Sequence, residues 1–292
     1  LGPRLDPNVL GGFAIDMRIK ARATSWPPPG VSLRGLHVTV AQYGLGAYER
    51  WLDGEGEQWL AAALRSGRHL CDCQEPSGAW LHHRPFAHTF PVKAPWCSAI
   101  AQGEAASLLV RLHQQTGEER FAQAALLALA PLRRPLAAGG VGDRLGGTVW
   151  FEEYPCKPAS HVLNGFIFAL WGLRDVAVAL GDGDARALFA EGVESLVANL
   201  RRYDTGYWSL YSLFPHPVRN VASSFYHDLH INQLEATNRL APHPQLAATR
   251  ARWAAYAASP RSRRRALAHK AAFRLLVPRN RWLARRMPWT RM

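Results

Sequence analysis

The chain has 292 residues, 48% of them hydrophobic, enough to bury a core as one large domain or two small ones. Its formal charge of +13 sits at one end. Residues 261–292 hold 11 of the 35 basic residues and no acidic one, which leaves 24 basic against 22 acidic residues elsewhere. A near-neutral body removes the charge argument for a nucleic-acid enzyme. A membrane span is excluded too, because the most apolar run, Val162 to Leu173, contains Asn164 and meets Arg174 and Asp175.

Residues 1–36 read as an N-terminal arm, with a short extended stretch from Gly12 to Arg18 and a WPPPG turn at Trp26 to Gly30. The given sequence opens on Leu1 with no signal-like apolar segment, so a trimmed or partial start is expected and the compartment stays open. From His37 the spacing predicts helical hairpins. Val38–Trp51 pairs with a helix running to Leu70, and Ser98–Gln115 with Glu118–Leu132. Ser160–Leu180, with Ser160 as its N-cap, pairs with Ala185–Tyr203, and Tyr226–Leu240 with Gln245–Tyr256. The tight turns recur about every 60 to 65 residues, an internal repeat of paired helices. First helices are rich in small and apolar residues, second helices in charge, as expected of inner and outer layers. The prediction for 37–258 is one all-α domain, an α/α barrel of about four hairpins with short strands in the links.

Each link carries a glycine just before a tryptophan: Gly78 and Trp80, Gly147 and Trp150, Gly206 and Trp208. Parallel inner helices put all three links at one end. That gathers Trp96, Trp150, Glu153, Tyr154, Trp208, Tyr211 and Tyr226 on one face, with some tryptophans plugging the barrel as core. Glu152, Glu153 and Tyr154 precede Pro155 and Pro158 on a stiffened loop that feeds a buried helix, a rigid mount for a catalytic group. His227 and His230 share a helix face, yet no third ligand and no HExxH accompany them, so no metal is assigned. Phosphate-loop, dinucleotide and GxSxG patterns are lacking, so no cofactor is assigned either. Cys71, Cys73, Cys97 and Cys156 have no zinc or redox spacing and are expected as reduced thiols.

Five segments, VTVAQYGLGAYE (Val38 to Glu49), APWCSAIAQGEAASLLVRL (Ala94 to Leu112), FEEYPCKPASHVLNGFIFALWGL (Phe151 to Leu173), YDTGYWSLYSL (Tyr203 to Leu213) and FYHDLHINQL (Phe225 to Leu234), occur in that order. Together they resemble the C-terminal catalytic domain of D-glucuronyl C5-epimerases, the heparan and heparosan epimerases that convert D-glucuronate to L-iduronate within a polymer. The resemblance implies an α/α barrel and metal-independent epimerisation of an acidic polysaccharide. It also implies a catalytic cleft lined at Glu153, Tyr154, Tyr211 and Tyr226. Ser212 stands where the family usually has Asp, and Phe214 offers no counterpart to an arginine just downstream.

The residue types suit that chemistry. Removing the C5 proton of a uronate needs a base, an acid on the opposite ring face and groups that hold the carboxylate. Glu153 is the expected base and Tyr226 the acid, with Tyr154 and Tyr211 bonding the carboxylate or ring. Glu152 is expected to be structural or solvent-facing. Candidates to bind substrate are Trp96, Gln102, Asn164, His161, His227, His230 and Arg84, with Arg219 a further candidate for the carboxylate. The alternatives are a uronate-polymer lyase, a hydrolase pairing Glu153 with Asp204 or Asp228, or a non-catalytic glycan-binding protein.

Residues 259–292 read as a basic tail, with a helix expected over Arg265 to Val277 and Trp282 and Leu283 beyond it. The composition suggests a peripheral anchor on an anionic membrane surface, with a guide rail for acidic polysaccharide and a solvated extension as alternatives. On the anchor reading, a chain ending at Ser259 keeps its activity on short oligosaccharides. No specific nucleic acid is expected as a partner, and the oligomeric state stays open.

Overall fold

A computed structural model describes residues 12–18, 21, 37–83 and 88–279. Arg84, Trp282 and Leu283 lie outside the described residues. Eight helices form four hairpins: α1 His37–Leu52 with α2 Glu57–Cys73, and α3 Ala99–Thr116 with α4 Glu119–Leu127. Then come α5 Leu163–Ala179 with α6 Gly183–Asn199, and α7 Ser224–Leu240 with α8 Pro244–Ala258. Within each hairpin the two helices pack together. The first helices also pack in sequence, α1 on α3, α3 on α5 and α5 on α7. The result is an α/α barrel with α1, α3, α5 and α7 as the inner layer. A two-stranded antiparallel ribbon, β1 Gly142–Leu145 and β2 Thr148–Phe151, sits in the link before α5.

The small residues of the inner layer have a steric reason. A Cβ on Gly172 of α5 would lie 2.2 Å from the Gly103 carbonyl oxygen of α3, and one on Gly103 would lie 2.6 Å from the Ala169 Cα. The two backbones touch with no side chain between them. Gly172→Ala is expected to destabilise the fold by about 3 kcal/mol through overpacking, read as a lowered urea midpoint. Gly183→Ala, with nothing within 4 Å of the added Cβ, is the control that should not move it.

Most helix ends follow the sequence signals. Gly117 closes α3 at φ 71°, its N–H on the His113 carbonyl. Asp182 caps α6, Ser223 caps α7 and His243 caps α8. Three expectations shift. Ser160 does not cap α5; its N–H and hydroxyl both go to Glu152, and the helix starts at Leu163. Glu118–Leu132 is not one helix, since Pro131 has no N–H to continue the ladder to Leu127 and a separate turn, Ala130–Arg133, follows. Around Trp208 there is no strand, only the isolated bridges Asp204–Ser209 and Leu210–Val221.

Residues 12–18 form no strand either. They run, mostly buried, into the end of the barrel where the inner helices finish. Arg111 of α3 donates to the Ile15 carbonyl at 3.0 Å and pairs with Glu49 of α1, and its guanidinium stands 4.4 Å over the Phe13 ring. Arg174 of α5 donates to the Gly12 carbonyl. Asp175 accepts from Ser107 at 2.6 Å.

Past Ser259 the chain is not an appendage along its described length. Ser259 caps a further helix, α9 Pro260–Leu276, which packs against α8. Ala266 and Phe273 are buried, while Leu267, Leu275 and Leu276 are exposed.

Candidate active site

The site lies at the end of the barrel where the inner helices begin. The link after β2 is pinned there by its backbone. Ala99 donates its N–H to the Glu152 carbonyl at 3.0 Å, and the Ser98 hydroxyl donates to the Glu153 carbonyl at 2.9 Å. Trp150 stacks on Phe166 of α5 with ring centroids 3.8 Å apart, so this tryptophan is core. Trp80 and Trp208 are fully buried as well.

The two adjacent carboxyls then part. Glu152 turns into the protein, accepting from the Ser160 and His161 N–H groups at 3.0 Å and from the Ser160 hydroxyl. It is structural and wholly buried, not solvent-facing. Burial pushes its pKa up to about 7 against those hydrogen bonds. His161, held at φ 44°, sits behind it, with Nε2 3.3 Å from Asp143. Asp143, Glu152 and His161 gather their ligand-type atoms within 4.8 Å of one another and brace the loop from behind.

Glu153 turns the other way, onto the start of α5. A Cβ on Gly165 would lie 2.3 Å from its Oε2, so that glycine is the seat of the carboxyl. Burial raises the Glu153 pKa to about 7, opposed by a hydrogen bond from Tyr154. Gly165→Ala is expected to displace the carboxyl while keeping the helical fold. Proton exchange at the substrate carbon should fall about a hundredfold, the scale of a misplaced catalytic group, with circular dichroism unchanged.

From Glu153 a hydrogen-bonded chain runs through the hydroxyls of Tyr154, Tyr211 and Tyr226. Burial raises the pKa of all three phenols, and the Glu153 charge adds to the rise. Tyr211 meets Tyr226 edge-on at 4.8 Å, and the His88 ring stacks on Tyr154 at 4.7 Å. The three tyrosines face a cleft of about 150 Å³, lined further by His88, Thr89, Asn220 and Ser223 and by Lys270, Phe273, Arg274 and Arg279 from the segment after α8. No carboxylate is among these lining residues; Glu153 stands behind Tyr154.

Trp96 backs the site, 5.9 Å from Tyr154. Asn164 is nearly buried in the first turn of α5, its Oδ1 without a partner among the described contacts. Four of the substrate-binding candidates are placed elsewhere, engaged in the fold. Gln102 accepts from the Trp80 N–H and donates to the Gly78 and Ala128 carbonyls, so its amide ties the first link to α3. His227 accepts from the Ser209 N–H and donates to the Trp253 carbonyl, and His230 shares a bond with the Ser209 hydroxyl. Burial lowers both imidazoles, to about 4 and about 3. His161 belongs to the brace behind Glu152. Asp204 accepts from Arg252 at 2.7 Å and from the Trp253 indole at 3.2 Å, and Asp228 is exposed. Neither lines the cleft beside Glu153.

The sequence reading missed Lys270, Arg274, Arg279 and His88. The helix itself was expected, over Arg265 to Val277; its packed face was marked by a stripe, Ala266, Lys270 and Phe273, which the surrounding arginines masked.

The family model described as D-glucuronyl C5-epimerase C-terminus matches residues 74–255. A D-glucuronyl C5-epimerase of Caenorhabditis elegans is 33% identical over 225 residues, covering 71% of this chain and 36% of the worm protein. An uncharacterized protein of Methanocaldococcus jannaschii is 33% identical over 125 residues, 41% of each chain. The chain therefore spans little more than a third of the length of these curated relatives. Among solved structures, the unsaturated glucuronyl hydrolase of Bacillus sp. GL1 superposes with a TM-score of 0.49 at 17% identity, over 79% of this chain and 62% of that one. On its match from 74 to 255, which takes in Glu153, Tyr154, Tyr211 and Tyr226, the chain belongs to the D-glucuronyl C5-epimerase C-terminus family.

Proposed function

We propose that this chain inverts C5 of D-glucuronate to L-iduronate in a uronate-containing polysaccharide. Alongside family membership, the observation that carries the reading is the Glu153–Tyr154–Tyr211–Tyr226 chain along an aromatic cleft. Epimerisation needs a proton acceptor on one face of the sugar and a donor on the other. Tyr154 takes the C5 proton while passing its own to Glu153, whose raised pKa suits it to hold a proton near neutrality. Tyr226 donates to the opposite face of C5. The proton on Glu153 then returns through Tyr154 and Tyr211 to Tyr226, which restores the starting state. In the reverse direction the two ends exchange roles. A hydrolase would need two carboxyls flanking one bond, and none is among the described residues that line the cleft.

Incubation with uronate polymers in deuterium oxide tests the reading. Deuterium at C5 without chain cleavage is expected. An unsaturated chromophore would replace it with a lyase, and new reducing ends without unsaturation with a hydrolase.

The basic segment supports a second contact. Leu267, Leu275 and Leu276 are exposed on α9 among arginines, a surface suited to an anionic membrane. No described helix is long and apolar enough to cross one.

A further inference from the structure

Removing the C5 proton moves negative charge onto the carboxylate of the sugar, so a cation against that carboxylate stabilises the transition state directly. The histidines on the inner helix α7 do not supply it, since burial holds them neutral and structure occupies them. The positive charge of the cleft comes from the segment after α8. Lys270, Arg274 and Arg279 line the cleft, all beyond residue 255, where the family match ends.

Lys270 is the most firmly held of the three. Its Nζ donates to Asn220 Oδ1 at 2.8 Å and to the Val221 carbonyl at 2.7 Å. Asn220 is itself buried and donates to the Ser212 hydroxyl at 3.3 Å. One of the three ammonium donors is left over for a ligand among the described contacts. The ammonium stands 5.9 Å from the Tyr211 ring and 5.0 Å from the Phe273 ring. Arg274 follows one helical turn later, and Arg279 lies just past the helix; both are exposed. Burial, with the like charges of Arg274 and Arg279, pushes Lys270 down to about 8.

We infer that Lys270, flanked by Arg274 and Arg279, binds the uronate carboxylate, so that α9 is the anion-holding wall of the cleft. The inference rests on the epimerase reading for the identity of the sugar, but not for the binding of an anion. An ammonium fixed by the Asn220 amide oxygen and the Val221 carbonyl offers a carboxylate one directed bond. The two arginines beyond it sit where further acidic groups of the polymer would lie.

The test compares binding of a heparosan hexasaccharide with that of its carboxyl-reduced form by calorimetry, with C5 deuterium exchange measured in parallel. The intact protein is expected to prefer the acidic form by about tenfold, the worth of a charged hydrogen bond. Lys270→Met should abolish that preference and Lys270→Arg should retain most of it, each with unchanged circular dichroism. Arg274→Ala, at an exposed position, should weaken the preference and serves if Lys270→Met does not fold. No preference in the intact protein, or full preference in Lys270→Met or, if that variant does not fold, in Arg274→Ala, overturns the inference. A Lys270-dependent preference without exchange would leave it standing and overturn the epimerase reading instead.

Discussion

Glu153→Gln is expected to lower C5 exchange by at least about a hundredfold, the scale of a lost general base. The amide keeps the shape that packs on Gly165 but cannot take a proton from Tyr154. Tyr226→Phe should cost a similar factor at the other end of the hydrogen-bonded chain. Circular dichroism should match the parent in both cases; near-normal exchange in a folded variant removes that residue from the mechanism. The pH profile gives a second reading. Glu153 must be ionised to accept a proton, so exchange should rise with pH and level off above about 7, where burial has placed its pKa. Stability should run the other way. Glu152 and Glu153 are both raised from an ordinary 4.5 to about 7, so the folded state binds their protons more tightly than the unfolded state does. That contribution is complete below about pH 4.5 and is lost as the pH rises through 7. The buried imidazoles of His227 and His230, lowered by burial, act in the opposite sense, so it is the urea midpoint of the parent relative to Glu152→Gln and Glu153→Gln that should fall with increasing pH across this window.

A chain ending at Ser259 is expected to lose C5 exchange on short oligosaccharides as thoroughly as Glu153→Gln does, by at least about a hundredfold. The sequence alone gave the opposite expectation, that removing a basic tail would spare the chemistry. The truncation removes Lys270 from Asn220 and Val221, and Phe273, which is 1% exposed, from its contact with His216. It also breaks the 2.6 Å bond between Tyr207 and His269 and lifts Arg265 from the Tyr207 ring. One wall of the cleft goes with it. Full exchange by the shortened chain would mean that α9 is only a neighbour of the site. Membrane contact needs a different variant, because truncation removes both functions. Changing Leu267, Leu275 and Leu276 to Ser should release the protein from anionic vesicles and leave exchange unchanged.

The hairpins were legible because two signals agreed. Glycine and proline turns recurred at a fixed period, and small residues marked the helices whose backbones touch, as at Gly103 and Gly172. The order of Glu153, Tyr154 and Tyr211 along the links, and of Tyr226 at the start of α7, was legible from motif resemblance. The role of Glu152 was only half visible. Which of two adjacent carboxyls turns inward depends on the Ser160 and His161 N–H groups, and nothing in the spacing showed where those would point. Gln102, His227 and His230 were misread for a related reason. A polar residue on an inner helix looks like a ligand, yet links that cross a barrel end leave buried carbonyls and N–H groups that need partners. The wall at Lys270 was hidden by its own charge. A lysine in an arginine-rich stretch reads as solvated until a packed phenylalanine one turn away shows which way the helix faces.

The buried stretch at 12–18 has a consequence for how a long molecule can be handled. With Phe13 and Ile15 fully enclosed, and the Ile15 and Gly12 carbonyls tied to Arg111 and Arg174, the described residues close the end of the barrel away from the cleft, and what is left is a blind well. On the proposed function, a polymer would not be threaded along the axis. It has to come in over the rim, lower one sugar, and leave by the way it entered. Sugars on either side of the lowered one stay outside, draped across the lip. Any preference for chain length or for neighbouring groups is therefore set at the surface, while the bottom of the well sees a single residue at a time.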